Sequence, residues 1–188
     1  AARRAGVTHL SMASSSSVYG ANPILPKHES LATRPLSPYA ASKLAAEAYC
    51  LAFGHSYGMT TLAFRFFNVF GPLQAAGHAY AAVIPQFVDA ALAGRPLPVD
   101  GDGMQSRDFT SVRTVVRVLS DAVARNVGSA DPVNLAFGSR VTLLELIAQL
   151  EAILGRPLER AHRPSRAGDV KHSQADGTAL HALFPDVS

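Results

Sequence analysis

Short apolar runs bounded by turn residues alternate along this chain with longer stretches of helical composition. That order predicts an α/β architecture rather than separate helical and sheet domains. Val7 to Ala13, Thr61 to Phe67 and Val133 to Phe137 read as buried strands, each short, apolar and bounded by turn or polar positions. Helices are predicted around them: Pro38 to about Tyr57, ending near Gly58; Ile84 to Ala93, stopping at Gly94; and Val112 to Arg125, stopping before Gly128. Thr142 to Leu154 is the clearest. Thr142 and Glu145 have capping-box spacing, Leu143, Leu146, Ile147 and Leu150 form one apolar face, and Gly155 supplies the stop. Gly71 to Tyr80, Pro98 to Asp108 and Arg163 to Gln174 are rich in Gly, Pro and polar residues and read as loops where binding residues collect. No internal repeat is visible.

At 188 residues the chain is long enough to bury a core, and its charged fraction of 16% argues against disorder. No uninterrupted apolar run approaches the roughly 20 residues a membrane-spanning helix needs, so a membrane protein is not expected. A single cysteine, Cys50, excludes a disulfide framework and any multi-cysteine zinc site, and points to the cytoplasm. The net charge of +3 comes from scattered Arg and Lys, densest at Arg3-Arg4 and from Arg160 to Lys171. No basic stripe is long enough to track a nucleic acid, which leaves local binding of a small anion open. The seven histidines are dispersed without the paired spacing of a metal site, and none is expected. Ala1 to Gly6 reads as the end of a helix leading into a strand, and Leu183 to Ser188 stops without an obvious terminal element. Both ends are therefore expected to be those of a fragment of a larger α/β protein.

Two clusters carry candidate chemistry. The polar run Ser14-Ser15-Ser16-Ser17-Val18-Tyr19-Gly20 directly follows the first strand. In Ser37-Pro38-Tyr39-Ala40-Ala41-Ser42-Lys43, Pro38 suits a helix start, and the four-residue spacing puts Tyr39 and Lys43 on one helical face. An ammonium beside a phenol favours the phenolate, drawing a tyrosine from its reference pKa of about 10 toward the range useful for proton transfer. A serine hydroxyl nearby would share the moving proton or orient a substrate hydroxyl.

Six ordered blocks now stand together: Ser14 to Gly20, the Pro-containing loop after it, Ser37 to Glu47, Arg65 to Pro72, Gly101 to Phe109 and Arg166 to Asp176. In that order they resemble the extended short-chain dehydrogenase/reductase family, in its NAD-dependent epimerase/dehydratase branch. They are most similar to the UDP-N-acetylglucosamine and UDP-glucose 4-epimerases. The resemblance implies part of a Rossmann-like, doubly wound parallel sheet with a smaller α/β substrate domain. Residues 1–75 would be the C-terminal part of the NAD-binding domain. Residues 76–188 would mainly form the nucleotide-sugar-binding domain, with the strand near 133–138 returning to the first sheet. The family's Gly-rich first turn, which receives the NAD pyrophosphate, would lie before Ala1, so this chain alone is expected to be inactive.

The resemblance also assigns roles. Tyr39 falls on the base that takes a proton from the sugar 4-hydroxyl, Lys43 on the lysine that binds the nicotinamide ribose, and Ser15 on the hydroxyl that meets the sugar O4. Ser14, Tyr39, Lys43 and Phe66 would face NAD, with Phe67 flanking the nicotinamide side. Ser16, Asn68, Val83, Arg107, Arg166, Asp169 and Ser173 would face the UDP-sugar. Asn68, Arg107 and Arg166 would meet the diphosphate and Asp169 the uridine ribose. The segment Tyr80 to Val83 would contact the nucleotide through its backbone. Ser173 would stand as a gate beside the sugar 2-substituent, leaving room for an N-acetyl group. The full-length partner set would be a UDP-sugar and a second copy of the chain, without nucleic acid, membrane or metal.

Three positions depart from the pattern: Phe66 where many relatives carry Tyr, Leu73 in place of an Arg, and Asp100 where an Asn or aromatic residue is common. Dehydratases of the branch carry acidic residues where Ser16 and Ser17 stand, which favours epimerisation at C4 through a transient 4-keto sugar. The competing readings are another NAD-dependent nucleotide-sugar dehydratase or reductase, and a noncatalytic truncated nucleotide-sugar-binding protein.

Overall fold

The computed structural model describes residues 1–77, 82–165 and 170–187. After a short 3-10 turn at Arg3–Ala5, the chain runs through β1 (His9–Ser15), a 3-10 turn at Ser16–Tyr19, α1 (Pro38–Tyr57), β2 (Thr60–Phe66) and β3 (Val69–Phe70). It continues through α2 (Val83–Leu92), β4 (Leu97–Asp100), β5 (Ser106–Arg107), β6 (Thr110–Ser111), α3 (Val112–Ala124), β7 (Val133–Leu135), β8 (Val141–Thr142), α4 (Leu143–Leu154), β9 (Arg160–Arg163) and α5 (Thr178–Leu183). The predicted helices and the three predicted strands are all present, with ends shifted by one or two residues.

The three long-range strands form one parallel sheet in the order β1-β2-β7. Thr61 to Arg65 of β2 are buried without alternation, as a central parallel strand covered on both faces requires. β1 pairs with β2 alone among the described residues, so its other edge is open. Ser37 caps α1 through a bond from the Ala40 amide, Pro38 occupies its first turn, and Gly58 ends it at φ +66°. The helix buries only Ala40, Glu47 and Cys50 fully. No described helix is long and apolar enough to cross a membrane.

Apolar packing divides into three groups. Leu62, Phe64, Val133 and Leu135 of the sheet meet Val115 and Val118 of α3, Leu180 of α5, and Phe184 and Val187 beyond it. Phe87 of α2, Leu97 and Val99 of β4, and Leu146 and Ile147 of α4 form a second core. Val18, Tyr19, Phe67, Ala136 and Ala175 form a smaller one between them.

One expectation needs correction. The Pro98 to Asp108 stretch is not simply loop: β4 pairs in parallel with β9, Leu97 opposite Arg160, and β5 pairs antiparallel with β8. Leu183 ends α5, and the residues after it bury Phe184 and Val187 in the first core. With six residues and no side-chain cap, α5 has little local signature.

Candidate active site

The carboxyl ends of β1 and β2, the start of α1 and the segments around β5 and residues 170–173 converge on one side of the sheet. Parallel α/β sheets bind ligands at the carboxyl ends of their strands. Ser15 ends β1 and caps the turn that follows; its Oγ accepts from the Ser17 amide at 3.2 Å and the Ser17 hydroxyl at 2.9 Å. Gly20 closes that turn at φ +46°, where an added Cβ would lie 1.8 Å from the Arg34 carbonyl oxygen, so no larger residue fits. Ser15 is the parallel partner of Phe66 across the β1-β2 pair.

Tyr39 opens α1 with 57% of its surface exposed. Lys43 lies one turn on; its Nζ donates to the Ala13 carbonyl at 3.0 Å and sits 5.8 Å from the Tyr39 ring centroid. Tyr39 and Lys43 thus stand together at the start of α1, and the Lys43 bond ties that helix to β1 two residues before Ser15. Ser14 faces differently: it is buried, and its hydroxyl donates to Glu47 Oε2 at 2.5 Å. Its main chain is what remains for a cofactor contact. Phe66 is half-buried against the first core, whereas Phe67 is fully buried and borders the cavity described next.

A cavity of about 360 Å³ opens beside these residues, bordered by Ser16, Ser17, Tyr19, Lys27, Asn68, Arg107, His172 and Ser173. A second, of about 260 Å³, is bordered by Val83, Gln86, Asp100 and Phe109. Asn68 and Arg107 border both, so they stand where the two spaces meet. Asn68 leaves β2 at φ +21° and donates through Nδ2 to the Asp108 carbonyl at 3.3 Å. Arg107 Nη1 donates to the carbonyls of Ser106 at 2.9 Å and Lys171 at 3.3 Å, which aims the guanidinium and ties down the segment before Ser173. Behind it, Ser106 Oγ lies 2.9 Å from His172 Nδ1 and accepts from Arg140 Nε at 3.2 Å. Burial, with Arg140, Lys171 and Arg107 close by, holds His172 below the usual imidazole range. A region this rich in cations suits a diphosphate. Leu73, fully exposed at φ +68°, lies outside both cavities. Tyr80, Arg166 and Asp169 lie outside the described residues. Among the described residues no group of His, Cys, Asp and Glu side chains has the arrangement to hold a metal ion.

Several residues that frame the site gave no functional signal in the sequence. Asp108 is fully buried and accepts from the amides of Gly138 and Ala175, each at 3.0 Å, and the Ser139 hydroxyl at 2.8 Å. Burial pushes its carboxyl up against the pull of those donors. It staples the segment carrying Arg107 to the one that ends the cavity wall. Tyr19, whose phenol burial pushes up, donates to Asn134 Oδ1 at 2.7 Å. Lys27 is buried beside it, donates to the Asn22 carbonyl, and is held by burial below the usual lysine range. The one available hint lay in spacing: Glu47 follows Lys43 by four residues and so shares the Tyr39 face of α1.

A family model described as the NAD dependent epimerase/dehydratase family matches residues 1–136. The chain is 37% identical to a UDP-glucose 4-epimerase of Mycolicibacterium smegmatis, covering 98% of this chain and 58% of that protein. It is 34% identical to a probable UDP-glucuronate 4-epimerase of Rhizobium meliloti, covering 93% of this chain and 56% of the relative. Among solved structures, a UDP-N-acetylglucosamine 4-epimerase from Methanobrevibacter ruminantium in complex with UDP-N-acetylmuramic acid superposes with a TM-score of 0.94 at 36% identity. That match covers 100% of this chain and 60% of the other. The chain thus spans less than two thirds of the length of the proteins it matches.

Proposed function

Because this chain belongs to the NAD dependent epimerase/dehydratase family, we propose that the full-length protein inverts C4 of a UDP-hexose or UDP-N-acetylhexosamine, with NAD as a retained cofactor. The observation that carries the reading is the pairing of Tyr39 with Lys43 at the start of α1, tied to β1 two residues before Ser15, beside a cavity bordered by Ser16, Asn68, Arg107 and Ser173. In this reading residues 1–75 belong to the NAD-binding domain, joined by α3, β7 and α5, which pack on its sheet. The rest of residues 76–188 forms the nucleotide-sugar domain. The whole protein is a cytoplasmic homodimer, a state supported by the exposed Tyr49 and Phe53 on α1.

The residues present fit the nicotinamide half of NAD. A phenol, an ammonium and the half-buried Phe66 stand at the carboxyl ends of parallel strands, where a dinucleotide crosses such a sheet. Bound there, NAD would take up hydrogen from C4 as hydride and give it back. Tyr39 takes the proton of the 4-hydroxyl and later returns it, and Lys43 stands beside the ring. Ser15 meets O4 and steers that proton. Inversion requires the 4-keto sugar to present its other face before hydrogen returns, so the sugar must turn while its diphosphate stays fixed. Asn68, Arg107 and Arg166 supply the fixed point, with Val83 and Asp169 on the nucleoside. Ser16 and Ser173 line the space in which the sugar turns, and Ser173 leaves room for a 2-acetamido group.

The test is turnover of UDP-N-acetylglucosamine and UDP-glucose by full-length protein, followed by proton NMR, alongside Tyr39→Phe. General acid-base groups contribute on the order of 10²–10⁴ in rate, so this variant should lose that much turnover while still binding UDP. Undiminished turnover in Tyr39→Phe would remove the phenol from the reaction, and stoichiometric NADH release by the wild type would make the protein a dehydrogenase.

A further inference from the structure

Behind the reacting groups lies a buried charged network. Tyr39, Lys43 and Glu47 follow one another at four-residue intervals on α1, so they share one face. Glu47 is 3% exposed, and its carboxylate accepts from Ser14 Oγ at 2.5 Å and from Arg65 through both Nε at 3.0 Å and Nη2 at 2.6 Å. Ser14, Arg65 and Asn134 stand side by side on β1, β2 and β7, each in register with the next and each buried. They immediately precede Ser15, Phe66 and Leu135. Arg65 extends the network: its guanidinium lies 4.7 Å from the Tyr19 ring centroid, and its Nη1 donates to the Glu29 carbonyl at 3.2 Å. Burial acts to lower the Arg65 guanidinium, but its interactions with Glu47 and the Tyr19 phenol together outweigh this and hold it above its ordinary range.

We propose that Glu47 and Arg65 are positioning residues, a buried pair that fixes the helix carrying Tyr39 and Lys43 against the strand ends carrying Ser15 and Phe66. The inference rests on the catalytic reading above. A stability role alone explains the pair poorly, because buried ion pairs are often matched or bettered by apolar residues of similar size. What apolar packing does not supply is a direction. The two-pronged bond from Arg65 fixes the carboxylate in angle as well as distance. Ser14 then couples that carboxylate to the residue next to Ser15. Apart from it, the reacting face of α1 is held to β1 by the exposed bond from Lys43 to the Ala13 carbonyl. Proton transfer is sensitive to such placement, since a shift of about 1 Å in a reacting group costs on the order of 10²-fold in rate.

The experiment uses the full-length, NAD-loaded protein and the double substitution Glu47→Met with Arg65→Met, which removes both charges together and leaves neither stranded. The expected result is a folded protein with nearly unchanged melting temperature and KM for the UDP-sugar, and kcat lower by about 10- to 100-fold. Arg65→Lys, which keeps the charge and loses the fork, should fall between the double variant and the wild type. A double variant with wild-type kcat would overturn the proposal. So would parallel losses of kcat and thermal stability, or failure of both variants to fold, because either result assigns the pair to stability alone. A wild type that turns over no UDP-sugar would instead defeat the catalytic reading. The positioning claim would then be decided by a crystal structure of the double variant: loss of the Lys43 to Ala13 contact supports it, and an unmoved α1 refutes it.

Discussion

Arg107 is the residue on which nucleotide-sugar binding should depend most visibly, since it borders both cavities and is braced by the carbonyls of Ser106 and Lys171. With Arg107 on the diphosphate as proposed, Arg107→Ala removes its charge-assisted bonds there, and a hydrogen bond to a charged group is worth about 1.5–3 kcal/mol. At about 1.4 kcal/mol per factor of ten, loss of one such contact weakens UDP binding roughly 10- to 150-fold. Arg107→Lys restores a point charge without the fork and should recover part of that loss. Isothermal titration of the full-length protein with UDP near physiological salt is the assay, with uridine as the control because it carries no phosphate. Uridine affinity should stay within about twofold of wild type, as uridine carries no phosphate for the guanidinium to bind. UDP binding to Arg107→Ala within about threefold of wild type would remove Arg107 from the diphosphate. So would a loss of uridine affinity as large as that of UDP, for then the substitution has collapsed the segment tied through Lys171 rather than removed a phosphate contact.

Ser173→Tyr should depress turnover of the N-acetylated sugar pair by at least about tenfold more than that of the glucose pair, read by NMR, because an aromatic ring fills the space beside the 2-substituent; equal losses would remove Ser173 from the gate. Phe184→Ala should cost about 3–5 kcal/mol in urea unfolding, since Phe184 is 1% exposed in the first core with its ring 6.1 Å from that of Phe64; a change below about 1 kcal/mol would mean that the C-terminal segment is not docked there. His172 is held below the ordinary imidazole range by burial and its cationic neighbours, so the folded protein takes up a proton less readily than the unfolded chain. Its contribution to stability is therefore complete above the unfolded pKa of about 6.5 and is lost as pH falls from there toward the folded value. His172→Gln should flatten the melting temperature between about pH 7 and 5, and parallel profiles for variant and wild type would refute the assignment.

The parts of this protein that announce themselves in sequence are those whose cause is local. Thr142, Glu145 and Gly155 form the expected box and stop: the Thr142 hydroxyl accepts from the Glu145 amide at 3.1 Å, and Gly155 takes φ +64°. Pro38 and Gly58 bound α1 for equally local reasons. Ser15, Tyr39 and Lys43 could be placed along the elements because β1 and α1 are bounded locally: Ser15 ends β1, and Tyr39 and Lys43 lie in the first two turns of α1. The small sheets were not legible. β4 and β9 meet across some sixty residues of chain, and Arg160 to Arg163 of β9 are all exposed, so neither alternation nor burial marks them as a strand. The buried polar network was hidden for the opposite reason. Arg65 sits at the end of an apolar strand and Glu47 inside an Ala-rich helix, and only the register that brings Ser14, Arg65 and Asn134 side by side gives their charges a partner.

The proposed inversion at C4 uses hydrogen that leaves the sugar and returns to it without mixing with solvent. Full-length, NAD-loaded protein incubated with UDP-N-acetylglucosamine in deuterium oxide tests this directly, with proton NMR of the product and absorbance at the NADH band followed together. The expected product is UDP-N-acetylgalactosamine whose C4 proton is fully retained, with no accumulation of NADH. Deuterium at C4, stoichiometric NADH, or no inversion of this sugar or of UDP-glucose would contradict it.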